Sequence, residues 1–352
     1  MAPSPEPSPK GTLGRCAAKL FAAACIILFC WAIGLGGWIL AGSLYNYFKV
    51  TPPSFVFPTD APVTTTPQFS SPDLTPAAPP GVGPGGKIVY VCQIFAVQER
   101  DQICIMNADG SGQRRLTTDD NARHFYPSLS PDGQSVVFSS NLNGNFEIYE
   151  MVLATGQVSR LGGMVGIAPE ISPDNRSVVY TRSDGPSTDT IWVMDRYGVN
   201  PRKIYKDGWD PTWSPDGSRI LFATMAGNKS QLAVINLDGS GFQKLTDLPE
   251  LRGRSDWSAD GLHIITYSGP PWGRELFLMN ADGSDLHQVG PSGGNSQGPS
   301  FSPDGQWVAF TAYFDHYRDW NGCEIYIMRI DGSNLTRLTD NKYCDWQPRW
   351  GP

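Results

Sequence analysis

Short runs of alternating hydrophobic and polar positions recur along residues 87–352. Runs such as SVVFSS, RILFAT and WVAFTA are rich in β-branched and aromatic residues, and alternation with a period of two is typical of β-strands. Most of these runs border an Asp-Gly pair, which accepts the positive φ of a tight hairpin turn. The pattern therefore predicts an all-β domain built from antiparallel hairpins.

The predicted strands form a repeat with a period of 42 to 44 residues. A segment of the form PxxSPDG recurs, with PEISPDN and SDWSADG as two variants, and its aspartates are Asp132, Asp174, Asp216, Asp260 and Asp304. Each copy predicts four short strands, named a to d, with Asp-Gly turns joining a to b and c to d. Units of four strands and about 40 to 50 residues form the blades of a β-propeller. Residues 87–352 hold six units, so we predict a six-bladed β-propeller.

The two ends of the repeat are incomplete in complementary ways. Lys87–Cys92 matches strand b, and the final copy stops after a strand a at Gln347–Trp350. We expect the last strand to complete the first blade and close the ring, because closure removes exposed sheet edges.

The repeat resembles that of the TolB-like β-propellers, with PxWSPDGxxIxF followed by IYxMNxDGSxxxxLT. The resemblance covers 87–352, about three quarters of the chain. It implies the propeller fold. TolB itself is a periplasmic partner of the Tol–Pal system with an α/β domain ahead of its propeller, whereas this chain has a different segment there. The resemblance therefore implies no Tol–Pal role, and similar repeats also occur in lyases and peptidases.

The N-terminal quarter is a different kind of polymer. Residues 20–48 carry no charge, and about 20 apolar residues span a bilayer as a helix. We expect a cytoplasmic tail over 1–19, a single transmembrane helix over 20–48 and a Pro/Thr-rich disordered linker over 49–86.

Charge and length decide the expected topology of that segment. Lys10, Arg15 and Lys19 precede the apolar run, which places the N-terminus in the cytoplasm and the propeller outside, in the periplasm or extracellular space. A signal peptide cleaved near 41–43 is the alternative, although signal apolar regions run only about 7–15 residues.

Composition and the absence of known motifs limit the partners and the reactions that we expect for this chain. The net charge of -7 argues against nucleic acid as a partner, because phosphate binding needs a basic patch. The chain has only four histidines, and no GxSxG or HExxH motif is present. We therefore expect no catalytic residue, cofactor or metal. Because an exported domain favours oxidation, we predict disulfides Cys92–Cys104 and Cys323–Cys344.

The irregular loops indicate the recognition surface. Strand direction alternates within a blade, so the b–c and d–a loops share one face, called here the loop face, and the Asp-Gly turns share the other, called the turn face. Residues just before strand a should approach the mouth of the central channel. Aromatic and charged side chains in such loops are typical of recognition. The candidate binding residues are His124, Phe125, Tyr126, Trp209, Asp210, Arg252, Arg254, Trp272, His316, Tyr317, Trp320, Asp345 and Trp346.

These observations lead to three functional hypotheses. The first is a membrane-anchored, extracytoplasmic binding module that recognises a protein, peptide or glycan through its loop face and channel mouth. The alternative is a polysaccharide lyase or hydrolase with its site at the channel mouth, which clustering of carboxylates with His124 or His316 would favour. The third is a purely structural or sensor ectodomain.

Overall fold

The computed structural model describes residues 84–93, 101–119, 121–185, 188–251 and 253–352. The tail at 1–19, the membrane helix at 20–48 and nearly all of the linker lie outside the described residues, so these remain predictions. Within the described ranges, no helix has the length and apolar character needed to cross a membrane.

The described residues form 24 β-strands in six four-stranded antiparallel sheets. In chain order the strands are β1 (Lys87–Gln93), β2 (Asp101–Asn107), β3 (Arg114–Arg115), β4 (His124–Leu129), β5 (Ser135–Ser140), β6 (Glu147–Val152), β7 (Val158–Val165), β8 (Ile167–Ile171), β9 (Ser177–Ser183), β10 (Asp189–Asp195), β11 (Arg202–Lys206), β12 (Gly208–Trp213), β13 (Arg219–Ala226), β14 (Lys229–Asn236), β15 (Gln243–Lys244), β16 (Asp256–Trp257), β17 (His263–Ser268), β18 (Glu275–Asn280), β19 (His287–Val289), β20 (Gln297–Phe301), β21 (Trp307–Ala312), β22 (Glu324–Arg329), β23 (Thr336–Arg337) and β24 (Asp345–Gly351).

Each sheet is one blade of a six-bladed propeller, as the repeat predicts. Blade 1 has the order β24-β1-β2-β3, and each of blades 2 to 6 takes four consecutive strands, starting from β4, β8, β12, β16 and β20. These first strands are the a strands, and each contacts the a strands of the two neighbouring blades around the ring.

The ring closes through the last strand. β24 pairs with β1 in antiparallel register, with Ile88 opposite Trp350 and Cys92 opposite Asp345. The predicted closure is therefore confirmed, and the closing strand extends beyond the predicted Gln347–Trp350 at both ends.

The core lies between neighbouring blades. All six residues of β5 are buried, because sheets pack against both faces of a central strand. Trp213 and Trp257 are each 5% exposed and belong to two such inter-blade clusters. The predicted packing role of these two tryptophans is confirmed.

The turns between strands a and b show why the SPDG motif recurs. In the first of them, Ser130 Oγ donates a hydrogen bond to Asp132 Oδ1 at 2.6 Å, and the main-chain N–H of Gln134 donates to the same oxygen at 2.9 Å. Gly133 follows with φ of +66°, where a side chain would be strained. These contacts lower the pKa of Asp132, with the Ser130 bond as the main cause. The turn face thus uses its aspartates to hold the backbone.

Candidate binding site at the channel mouth

The a strands of blades 1, 2, 3, 4 and 6 share a bulge that turns one residue of each strand toward the central channel. The pairing of strand a with strand b shifts register at this point, for example between Phe125 and Ser128 in blade 2. The residue inside the bulge precedes a proline in five blades, and in all five its φ lies between +50° and +55°. Residues in this position across blades 2, 3, 4, 5, 6 and 1 are Tyr126, Ala168, Asp210, Arg254, Gly298 and Gln347.

We call these six residues the bulge ring. Blade 5 departs from the pattern, because serine replaces proline after Arg254 and the positive φ falls on Gly253 instead, at +36°. Positive φ in a residue other than glycine costs free energy and is concentrated at functional sites. The surrounding Pro and SPDG positions are repeated, whereas the ring residues differ in size and charge. The backbone scaffold is thus the same in most blades, whereas the side chain that it directs toward the channel differs from blade to blade.

Five members of the bulge ring line one pocket of about 190 Å³. Only Ala168 does not contribute. The other lining residues come from strands and loops of blades 1, 5 and 6 and are Tyr267, Gln297, Thr311, Tyr313 and Trp346. The pocket is therefore concave and aromatic, with one carboxylate and one guanidinium among its walls.

A second ring of residues, two positions after the bulge ring, lies deeper in the channel. Its members in blades 2 to 6 and 1 are Ser128, Glu170, Thr212, Asp256, Ser300 and Arg349. Hydroxyl groups hold the carboxylates in place: Thr212 Oγ1 donates to Glu170 at 2.7 Å, and Ser300 Oγ donates to Asp256 at 2.8 Å. The charged members come from every second blade.

Two arginines bridge the channel interior. Arg349 in blade 1 pairs with Glu170 in blade 3 and lies 3.1 Å from Asp256 in blade 5. Arg254 in blade 5 donates a hydrogen bond to the main-chain oxygen of Pro127 in blade 2, at 2.9 Å. Both arginine residues are at most 5% exposed. These contacts occupy the axis of the ring below the pocket, so the pocket has a charged floor.

Burial in this region shifts the ionisation of Asp210. Desolvation raises its pKa from 3.8 to about 6, the charge of Asp189 adds to the shift, and Arg254 and Arg349 oppose it. Burial and the charge of Arg349 lower the pKa of Arg254 from 12.5 to about 10. At neutral pH the pocket therefore presents an anionic and a cationic group side by side, in a site where solvent screens them weakly.

The structure brings together only some of the predicted site residues. Tyr126, Asp210, Arg254 and Trp346 all line the pocket. Trp209 is half-buried against an inter-blade cluster. Asp345 is buried, and one oxygen of its carboxyl group accepts a hydrogen bond from Asn341 at 2.7 Å. His124 and Phe125 lie in β4 and pack between blades. Arg252 lies outside the described residues.

The remaining predicted residues form a second feature, the aromatic corner, built by the loops before β18 and β22. Trp272 is at its centre, with the rings of Tyr313, Tyr317 and Trp320 edge-on to it at 5.0, 5.9 and 4.9 Å. Trp320 is 63% exposed. His316 is exposed in the same loop.

Both predicted disulfides are present. Cys92 joins Cys104 across β1 and β2, with Cα atoms 5.8 Å apart. Cys323 joins Cys344 with Cα atoms 4.5 Å apart, and both half-cystines pack against the aromatic corner. The second disulfide therefore ties the loop that carries Trp320 to the start of the closing strand.

Sequence reasoning missed the deeper ring. Glu170, Asp256 and Arg349 are not among the predicted site residues, although the aligned repeat contains a signal for them. Two positions after the bulge residue, three blades carry a hydroxyl group and three carry a charge. A charge in a buried strand requires a partner, and the partners are the other charged members of the same column.

Comparison with known proteins supports the β-propeller fold. The profile of the TolB beta propeller domain matches residues 70–248 and 184–352, which together cover more than half of the chain. The chain belongs to the TolB beta propeller domain family. Among solved structures, TolB from Acinetobacter baumannii matches with a TM-score of 0.67 and 25% identity, over 76% of this chain and 67% of that one.

Relatives in the sequence comparison support the same family. An uncharacterized protein of Agrobacterium fabrum is 24% identical over 290 residues, which cover 77% of this chain and 91% of the relative. The Tol-Pal system protein TolB of Anaeromyxobacter dehalogenans is 27% identical over 184 residues, covering 50% of this chain and 42% of that protein. The match to that TolB thus spans less than half of its length.

The enzymatic alternative predicted clustered carboxylate and histidine side chains at the channel mouth. The pocket contains Asp210 but neither His124 nor His316. Across the described residues, no group of three or more His, Cys, Asp or Glu side chains is arranged to hold a metal ion.

Proposed function

We propose that this TolB-family propeller is a binding module that takes a protein or peptide partner at the channel mouth, with the pocket receiving one projecting side chain or loop tip. The observation that carries the proposal is the bulge ring. Five of its six positions line one pocket, and they vary in chemistry on an otherwise repeated scaffold. Binding residues carried on a rigid scaffold are typical of recognition sites.

The charged floor supports entry from the loop face. Arg254 and Arg349 bridge blades across the channel, so a bound segment would stop at these side chains instead of passing through. Aromatic side chains around the mouth supply contact area with little loss of conformational entropy. Asp210 and Arg254 offer both signs of charge, which favours a polar side chain or a main-chain segment with both donors and acceptors.

We further propose that the module works outside the cytoplasm while tethered to a membrane. The uncharged segment 20–48 and the proline-rich linker support the tether. The two disulfides support an oxidising compartment, since cytosolic thiols are kept reduced.

The test blocks the pocket and follows the captured partners. Gln297 lines the pocket and is partly exposed, so Gln297→Trp fills the mouth without replacing a residue of the bulge ring. Gln288→Trp on exposed β19 is the matched control. Full-length chains of both variants and wild type are cross-linked in cells of the source organism, and the captured proteins are identified by mass spectrometry.

We expect a partner captured by wild type and by Gln288→Trp that Gln297→Trp no longer captures, while thermal melting shows all three chains folded. If Gln297→Trp is folded and captures the same partners to the same extent, the channel mouth is not the binding site.

A further inference from the structure

Blades 2 and 6 contain the same pair of stacked rings. Phe138 on β5 faces Tyr149 on β6 with ring centroids 6.0 Å apart. Phe310 on β21 faces Tyr326 on β22 at 6.1 Å. The two pairs occupy equivalent positions of the repeat. The surroundings of the pair in blade 6 can therefore be compared directly with those in blade 2.

Each tyrosine hydroxyl is hydrogen-bonded to a side chain of the loop that follows strand b, although with opposite donor and acceptor roles. Asn143 Nδ2 donates to Tyr149 Oη at 2.9 Å, and Tyr326 Oη donates to Asp315 at 2.9 Å. Asn143 and Asp315 each lie three residues after the end of strand b. Asn143 and Asp315 therefore occupy equivalent positions in the loops that follow β5 and β21.

The two blades differ at the residue that precedes Asn143 in blade 2 and Asp315 in blade 6. In blade 6 it is Phe314, whose ring stands edge-on to Tyr326 at 5.3 Å. In blade 2 it is Leu142, which is 45% exposed. Blade 6 thus has a third ring beside its stacked pair, and blade 2 has a shorter aliphatic side chain there.

A cleft of about 200 Å³ lies beside the stacked pair of blade 2. Its walls come from β4 to β7 and from the loop after β3, and the lining residues include Leu116, His124, Phe138, Leu142, Tyr149 and Val158. An apolar cavity of about 150 Å³ is enough to bind benzene. The cleft is large enough for one substituted aromatic ring.

His124 is one of the residues that line this cleft, and both of its ring nitrogens are buried beneath the cleft surface. The residue is 4% exposed, and its ring stands edge-on to Phe138 at 5.6 Å. Neither ring nitrogen makes a well-formed hydrogen bond within the described residues. Burial lowers the pKa of His124 to about 4, which the nearby main chain of Asp119 opposes only in part. The imidazole is therefore neutral at pH 7 and offers one donor and one acceptor.

A buried imidazole with incomplete hydrogen bonding costs free energy, and a bound molecule that hydrogen-bonds to it regains part of that free energy. The residue that corresponds to His124 in blade 6 is Ser296, so the imidazole is a feature of blade 2 that blade 6 does not share. Asp119 also lines the cleft, which disfavours an anionic ligand.

We propose that the cleft between blades 1 and 2 binds a small, uncharged aromatic molecule that carries a hydroxyl or ring N–H group, such as a phenol or an indole. Its ring takes the place that Phe314 fills in blade 6, edge-on to Tyr149, and its polar group hydrogen-bonds to His124. This site shares no residue with the channel-mouth pocket, so the two proposals stand or fall separately.

The test uses p-cresol and indole as probes of the full-length chain, with toluene and cyclohexanol for comparison, followed by ligand-observed NMR titration. We expect p-cresol and indole to bind at millimolar concentration or below. Toluene should bind more weakly because it cannot hydrogen-bond, and cyclohexanol because it has no aromatic ring. In His124→Leu, p-cresol should bind no better than toluene.

Leu142→Phe is the decisive variant, because it restores the ring that blade 6 carries and should fold. We expect it to weaken p-cresol binding at least about tenfold, a difference of about 1.4 kcal/mol. Leu262→Phe, at another exposed leucine, is the matched control and should leave the affinity unchanged.

Three results would overturn the proposal. One is the absence of binding by p-cresol and indole at millimolar concentration, and another is unchanged binding in Leu142→Phe. The third is tighter binding of the peptide acetyl-Gly-Tyr-Gly-amide than of p-cresol, which would assign the cleft to a tyrosine of a polypeptide instead of a small molecule.

Discussion

The guanidinium of Arg349 on the closing strand lies 3.1 Å from the carboxylate of Asp256 on β16, deep in the channel. Arg349 also pairs with Glu170 on β8, so one side chain connects the a strands of blades 1, 3 and 5. Two kinds of interaction therefore hold the ring closed: the backbone pairing of β24 with β1, and the ion pairs of Arg349 in the channel.

Removing Arg349 should therefore be strongly destabilising. Arg349→Met leaves two largely buried carboxylates without their cation, and breaking a buried ion pair costs about 3 to 5 kcal/mol. Urea unfolding should show this loss, and adding Glu170→Gln and Asp256→Asn should recover part of it. Exposed Arg176→Met is the control, with a change within about 0.5 kcal/mol. A loss below about 1 kcal/mol in Arg349→Met would contradict this account of the channel.

Deleting residues 345–352 should open the ring. β1 would lose its partner β24 and become an exposed sheet edge, and β20 of blade 6 would lose the strand that packs beside it. We expect a lower melting temperature, a broader transition and a tendency to aggregate, measured by circular dichroism and light scattering. Removing Pro352 alone, which follows the end of β24, should have little effect. Equal melting temperatures for the full and shortened chains would show that backbone closure is dispensable.

Stability should fall at alkaline pH because of Asp345. Burial, together with the charge of Glu324, raises the pKa of Asp345 from 3.8 to about 8. The protonated form is the one that the folded state stabilises, so this contribution is fully present below about pH 4 and is lost as the pH rises through 8.

The measurement compares urea unfolding at pH 6 and pH 9. Asp345→Asn keeps an uncharged side chain of similar shape, so its stability should fall less between these two values than that of wild type. Asp247→Asn at an exposed position is the control and should follow wild type. A parallel decline of wild type and Asp345→Asn would refute the assignment.

The Cys323–Cys344 disulfide should stabilise both the aromatic corner and the closing strand. Replacing both cysteines by alanine should cost about 3 kcal/mol, typical for a native disulfide. The emission of Trp272 and Trp320 should also shift towards that of solvated indole, because both half-cystines pack against this cluster. The Cys92–Cys104 double replacement is the control, which should lower stability without this shift. Unchanged emission in the first variant would show that the corner is held by its own packing.

The proposed tether predicts how the propeller is presented. β1 begins at Lys87 beside the turn that follows β2, so the linker joins the domain on the turn face. On intact cells, a bulky maleimide should label a cysteine at Ser292, in a loop-face segment, faster than one at Ser284, in a turn. The isolated, detergent-solubilised chain is the control, where the two rates should converge. Equal or reversed rates on cells would remove the argument for an outward loop face.

The fold was predictable because its information is local and repeated. Asp132 and Gly133 form a turn with residues close in sequence. The segment SVVFSS forms the strand β5, all of whose residues are buried because neighbouring blades cover both of its faces. The orphan strands at Lys87–Cys92 and Gln347–Trp350 were enough to predict closure, since a strand b requires a strand a. The disulfides followed from the same placement of strands.

The binding surfaces depended on tertiary structure. The bulge that turns Asp210 into the pocket is a backbone feature, and it decides that Tyr126 and Arg254, from distant blades, share that pocket. His124 was predicted on the loop face, but its position in β4 places it against Phe138 in an inter-blade cleft. The reason is physical: hydrogen bonds within a blade are set by neighbouring sequence, whereas a channel or cleft is formed by residues that meet only once the ring has closed.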